Sequence, residues 1–589
     1  MLNLSVPFGL LAILAGFLFT GETSVYGLYG CFLFTLAAAF TAAVRGELTT
    51  GPAWKLAAAY AALMLLALAF GTLSSNYRSM SVALGLVYGA LPAGLLLAFF
   101  FGQTGANILK SVGVPAAVGI AVCTVGYAIG FGQKGSLFED SNTYATVLNI
   151  VFILTLWARE AYRANKAAVY LATASAVVTL GGLYFAQSKG AWLSLLGTLA
   201  FVLVAGRQAL GVTRRHWAAL LVMAAIAAAS VGNRVSTETS EQRGGQSTGS
   251  RMAMLTATLD IIKKHPAGVG IGRWGSEYSQ VRTTQDVESA GSHAHNDYLE
   301  VMAEAGPLGL FALGVPGVLA LWMGLRLRRR PAGADVKWEA ALVGITLVCA
   351  LQAAVNFTFH FVSLNLMVGL ACGLLLRAHG PMTGIALQRS HKVALSAAFA
   401  ALVGVSGLAF VSYAAPVVQS SPTSVLANAL PWLKEERAIL ALQKMNPVEP
   451  RLGVAYALYH GNRLADASLP QGERAASYYK ARATWLQLAQ DIPDEAMILG
   501  TAGGMVKNFG PEFDPNYLAL SHLLLKRAYE LAPSEAVVAV WYAQVLFKEH
   551  KFDEAERVVS RALERQPTML RPVLQAALDA IRKDRKQYE

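Results

Sequence analysis

Charged residues are scarce in this chain. Asp, Glu, Lys and Arg together make up 14% of its 589 residues, while 55% are hydrophobic. Soluble domains carry about a quarter charged residues, so an ordinary soluble enzyme is excluded. Acids are fewer than bases, 36 against 48, and the formal charge is +12. A nucleic-acid partner would suit that balance, but position argues against one. The bases fall in short clusters between apolar runs, as in the cytoplasmic loops of membrane proteins. Cysteine is nearly absent. Cys31, Cys123, Cys349 and Cys372 all lie in apolar stretches without paired or metal-type spacing, which excludes a disulfide framework and leaves small core or lipid-facing residues. Met1 to Thr20 lacks the basic start of a cleaved signal and runs straight into further apolar segments, so it is expected to be a retained helix. No Ser-His-Asp arrangement or nucleophile elbow is present.

What is abundant is apolar sequence long enough to cross ~30 Å of hydrocarbon. Such runs occupy about 5–20, 25–44, 54–73, 79–101, 106–131, 142–158, 167–186, 190–206, 216–232, 296–325, 338–356, 361–377 and 393–416, thirteen expected spans. Alternate loops carry the bases, for example Arg159, Arg163 and Lys166, then Arg326, Arg328, Arg329, Arg330 and Lys337. The opposite loops offer little beyond Arg78, Lys134 and Lys189. The asymmetry places the N-terminus in the cytoplasm, and an odd span count then places the C-terminal region outside. Loop 233–295 falls on the same outer side.

The expected architecture is therefore all-α, a polytopic transmembrane bundle over 1–416 followed by a soluble helical domain over 417–589. In the latter, Arg527-Ala528-Tyr529-Glu530-Leu531-Ala532-Pro533 returns 34 residues later as Arg561-Ala562-Leu563-Glu564-Arg565-Gln566-Pro567. With Trp541, Tyr542, Ala543, Phe552 and Ala555 between, this resembles a tetratricopeptide unit. Helices expected at 431–446, 450–465, 472–490 and 515–532 would stack before it as a short solenoid. Within loop 233–295, Arg251 to Lys264 reads as a helix ended before Pro266. The run Gly268-Val269-Gly270-Ile271-Gly272-Arg273-Trp274-Gly275 has no preceding strand and no clear following helix start, so a tight turn at the membrane surface is expected and not a nucleotide fold.

Chemistry concentrates at Gly291-Ser292-His293-Ala294-His295-Asn296-Asp297-Tyr298-Leu299-Glu300, where a polar loop becomes an apolar helix. Ionisable groups at the mouth of a bundle are costly to hold and mark function. Helix capping by Ser292 or Asn296, with acids at the positive dipole end, accounts for Asp297 and Glu300. It does not account for His293 and His295. Other polar groups stand at outer span ends: Asp140 to Tyr144, with Asn142 among them; Ser188-Lys189-Gly190-Ala191; Arg251; Asn356 and His360. Two or three cations and an imidazole on one membrane face suit an anionic, lipid-linked substrate. A metal centre is not expected. His293, His295 and Asp297 would chelate only from extended backbone, a helix start at 296 spoils that, and no other His/Asp/Glu cluster supplies further ligands.

The pattern His-Asn-x-Tyr-Leu-Glu…Glu-Ala-Gly-x-x-Gly from His295 to Gly309, preceded by Arg251…Lys264-x-Pro266…Gly268-x-Gly270-x-Gly272, resembles the bacterial O-antigen ligase/polymerase superfamily. Ser188-Lys189-Gly190-Ala191 is similar to that family's Ser-Arg-Gly-Ala segment with Lys in place of Arg, and Asn142 to its Asn at a span start. The resemblance implies glycan transfer from undecaprenyl diphosphate to an acceptor hydroxyl on the periplasmic face, inverting and without metal or cofactor. The acceptor would be a glycan, lipid A-core or, in protein O-oligosaccharyltransferases, a protein. It implies His295 as the base, Arg251 and Lys189 as holders of the diphosphate, and Glu304 and Asn296 as their supports. His293, Asn142, Arg273 and His360 are further candidates. A lipid-linked glycan transporter would instead place ionisable groups near mid-bilayer. A membrane scaffold that recruits a protein partner to the tetratricopeptide-like region would leave Lys189, Arg251 and His295 unexplained.

Overall fold

Residues 24–45, 49–75, 77–100, 141–238, 246–283, 286, 293–378, 383–384, 388–565 and 571–588, with 7–8, 11–13 and 107, are described by a computed structural model. The regular structure in these stretches is helical, apart from a two-residue antiparallel pairing of Thr49–Thr50 with Thr383–Gly384. Seven of the expected spans are helices long and apolar enough to cross a membrane, the first Pro52–Leu73 and the last Arg389–Ser420. Four more coincide with shorter apolar helices, Leu28–Val44, Leu84–Leu97, Lys189–Ala205 and Val362–Arg377. The remaining two, 5–20 and 106–131, lie largely or wholly outside the described residues, as does Cys123. Met1 to Thr20, expected to be a retained helix, falls there too.

The described helices group into two units. The first comprises Met1–Phe70, Ala83–Gly244 and His295–Ser406; the second comprises Gly71–Val82, Gly245–Ala294 and Gly407–Glu589. The compositional boundary at 416 leaves 71–82 and 245–294 with the membrane bundle, whereas their contacts join them to the C-terminal helices.

In the first unit Ala334–Ala353 is central. It packs on Ser141–Ala161, Lys189–Ala205, Asp297–Arg326 and Val362–Arg377, and its span is 89% buried. At the other extreme the apolar window of Arg389–Ser420 has no buried residue, a surface suited to lipid, and the helix buries only positions near its end, Ser412 to Gln419. Helices without a hydrophobic drive between them associate through close packing and internal hydrogen bonds, and both are present. A side chain on Gly369 would strike the carbonyl of Leu91, and one on Gly94 the carbonyl of Leu366. Asn149 donates to the Ala191 carbonyl at 3.0 Å, and Ser194 to Gln352 Oε1 at 3.0 Å. Cys31, Cys349 and Cys372 are buried free thiols in this packing, core residues as expected.

The second unit is a run of helices from Glu436–Met445 to Arg571–Tyr588, each packed on the next. Four correspond to the expected positions, and Ala496–Phe513 is one the sequence reading omitted. Its glycines and small apolar residues hid a helix whose buried face is Ile498, Leu499, Ala502, Met505 and Val506. Ala528, Tyr542, Ala543, Ala555 and Ala562 are buried core, as their helical spacing implies. The segment 245–294 is tied in by side chains: Arg273 pairs with Glu495 and donates to the Asp494 carbonyl at 3.1 Å, and the Ser279 and Ser534 hydroxyls meet at 2.8 Å.

Gln246–Lys264 is the helix expected from Arg251. The glycine run after it is a turn with Gly268, Gly270 and Gly272 at φ 97°, 104° and 77°, values that favour glycine. Gly270 backs directly onto Ser75, Ile271 N–H bonds to the Gly71 carbonyl and Ser81 donates to the Ile271 carbonyl. A helix does follow this turn, contrary to expectation: Trp274–Val281, started by Trp274 stacking on Tyr278 and bonding to Thr258 through its indole N–H. The stacking is a local i,i+4 pair, but the bond to Thr258 crosses to the preceding helix and leaves no mark in local sequence.

Candidate active site

The site grows from the start of Asp297–Arg326. Asn296 is the cap, its side chain accepting the Leu299 N–H at 3.1 Å, which answers half of the sequence question in favour of capping. His295, just before it, stands at φ 52°, a left-handed backbone uncommon for a histidine. Its ring meets Phe357 edge-on at 5.1 Å. At Gly306 (φ 66°, ψ −164°) the helix breaks and resumes with Pro307. Asp297, Glu300 and Glu304 lie on the piece before the break, on one helical face by spacing, and all three are buried.

Burying three carboxylates demands partners. A short turn, Thr358–His360, supplies one from between Ala334–Ala353 and Val362–Arg377. His360 Nδ1 lies 2.8 Å from Asp297 Oδ1, and its Nε2 lies 3.0 Å from Glu300 Oε1 and 3.1 Å from the Tyr88 hydroxyl. The second Asp297 oxygen accepts the Phe359 N–H at 2.8 Å. Asn365 donates to the carbonyls of Phe359 and Val87, fixing the turn from its other side. Burial opposes charge on His360, but Glu300 and then Asp297 outweigh it and hold the imidazole pKa well above its ordinary value. The ring is therefore an imidazolium near neutral pH, bridging two acids.

This cluster corrects the expectation that no further grouping of His, Asp and Glu lies near His295. Both ring nitrogens of His360 face the carboxylates, the arrangement of an ion-pair cluster. Sequence gave Asp297 and Glu300 only the role of helix-start acids. Their partner stands some sixty positions downstream, without any local signal.

A second polar knot in the same unit joins two other candidates. Ser188 caps Lys189–Ala205 by accepting the Ala191 N–H, and donates to Asn142 Oδ1 at 2.7 Å. Lys189 is exposed beside it. Asn142 and the Ser188-Lys189 segment are thus brought together. Arg251, Arg273 and His293 belong to the second unit. Arg251 is half-buried on Gln246–Lys264, while Arg273 is buried and committed to Glu495.

Residues 174–314 match the O-antigen ligase family. No curated protein matches the chain. The O-antigen ligase match supports the O-antigen ligase/polymerase superfamily and points to a membrane enzyme of glycosyltransferase type. It takes in Lys189, Arg251, Arg273, His293, His295, Asn296 and Glu304. It begins after Asn142 and ends before His360.

Proposed function

We propose that this chain moves a glycan from undecaprenyl diphosphate to an acceptor hydroxyl on the periplasmic face, as an O-antigen or exopolysaccharide ligase or polymerase. The observation that carries the reading is His295 poised before a capped, acid-lined helix start inside the O-antigen ligase segment. In this reading the neutral His295 imidazole takes the proton as the acceptor oxygen attacks the anomeric carbon. The bond from that carbon to the diphosphate oxygen breaks with inversion. Undecaprenyl diphosphate leaves with its charge met by Arg251 and Lys189. Lys189 offers charge without the planar fork of arginine. The N-terminus would be cytoplasmic, and the C-terminal helices periplasmic, a tetratricopeptide-like platform for an acceptor or partner. A protein hydroxyl is the alternative acceptor on the same chemistry.

The test is transfer from an undecaprenyl-diphosphate oligosaccharide by the purified chain in lipid, with glycan, lipid A-core and protein acceptors offered separately. His295→Ala should lower turnover by roughly 10²–10⁴-fold, the usual share of a general base, with donor binding retained and His293→Ala milder. Arg251→Ala should weaken donor binding and turnover together. A fully active His295→Ala protein would end this reading.

A further inference from the structure

The chemistry proposed for His295 leaves one buried charge without a task. His360 lies downstream of the matched segment. It is gripped at both nitrogens by Asp297 and Glu300 and backed by Tyr88. Between the two histidines stands one ring. Phe357 lies 5.1 Å from His295 and 6.4 Å from His360, edge-on to both. The turn carrying Phe357 is fixed by the Phe359 N–H on Asp297 and by Asn365.

We propose that His360 is a positioning residue for His295: bridging Asp297 and Glu300, it holds the 357–360 turn so that Phe357 orients the His295 imidazole, and its positive charge offsets the two acids that would otherwise favour a protonated His295. The role of His295 as base rests on the function proposed above; the arrangement of the clamp does not.

The second half of the proposal follows from charge. Asp297 and Glu300 stand two and five residues from His295, with Glu304 a further turn along. A bridging imidazolium cancels part of their field. Replace His360 by a neutral side chain and the charge that cancelled part of this field is gone, which stabilises the protonated form of His295. At an effective dielectric of about 20 such a charge moves a pKa by on the order of one unit. A base must be neutral to accept a proton, so the acid limb of the rate profile would move to higher pH.

His360→Gln is the informative variant, because it keeps bulk and a hydrogen-bond donor while removing the charge. Two readouts are taken on intact protein in lipid, at matched abundance and thermal stability. One is the pH profile of transfer. The other is the pH dependence of His295 carbethoxylation by diethyl pyrocarbonate, followed by mass spectrometry, which reports the neutral imidazole without requiring turnover.

We expect His360→Gln to move both profiles upward by on the order of one pH unit, with kcat lowered more than KM is raised. The double variant His360→Gln/Glu300→Gln, which removes an acid together with the bridging cation, should bring the profiles part of the way back. Two outcomes overturn the proposal. One is a uniform loss of rate with both profiles unmoved, which leaves His360 as scaffold alone. The other is His360→Gln indistinguishable from wild type. If wild type shows no transfer at all while the carbethoxylation profile still moves, the clamp stands and the reaction assigned to His295 falls.

Discussion

His360 shows how far a single residue's behaviour depends on remote partners. Its charged form is favoured in the fold, so its contribution to stability has a definite sign with pH. The contribution is complete below about 6.5, the ordinary histidine value, and is lost as pH rises through the elevated folded-state value. The thermal midpoint of wild type should therefore exceed that of His360→Gln most at neutral and mildly acid pH. The gap should narrow in alkaline buffer, which a pH series of unfolding scans would check. Arg273 offers the contrasting case. Sequence placed it among the further site candidates, but its buried guanidinium is spent on Glu495. Breaking a buried pair from one side typically costs about 3–5 kcal/mol. Arg273→Ala and Glu495→Ala should each lower thermal stability by an amount of that order, and the double variant by less than their sum. Asn296 was readable in advance, because a cap acts within three residues. The His360 bridge was not, because nothing in a local window pairs position 297 with position 360.

At the scale of elements, apolar periodicity located the helices well and their interruptions poorly. Residues 296–325 read as one span, yet Gly306 divides it at a backbone conformation open essentially to glycine. Pro307 completes the break by lacking an N–H. The piece from Pro307 to Arg326 is about 30 Å long at 1.5 Å per residue, enough by itself for the hydrocarbon. Asp297, Glu300 and Glu304 belong to the other piece and need not enter lipid depth at all. Gly306→Ala should cost roughly 1–3 kcal/mol, read as a lowered thermal midpoint, and should impair transfer by misdirecting the acid-bearing turn. The glycine pattern at 268–272 was likewise correctly read as a turn, while the helix after it was missed. Trp274 owes its place to Thr258, sixteen residues upstream, as well as to Tyr278 one turn along.

For the whole molecule, the basic clusters predict that the two ends of the bundle face opposite sides of the membrane. Cysteines introduced at Ser468 and Arg329, both exposed, provide a check. An impermeant maleimide added to intact inner-membrane vesicles of cytoplasmic-side-in orientation should label Ser468→Cys at once, and Arg329→Cys only after the membrane is opened. The reverse order would mean the chain is inverted.

The second unit is assembled from three separated stretches, and this has a consequence in time. Gly71–Val82 and Gly245–Ala294 have no folded home until Gly407–Glu589 exists. At roughly 5–20 residues per second of synthesis, the loop after Gly245 waits on the order of ten to fifty seconds for the helices that hold Arg273 and Ser279. During that interval the side of Trp274–Val281 that packs on Tyr517–Leu531 is uncovered, a surface open to an early chaperone before the closing helices arrive.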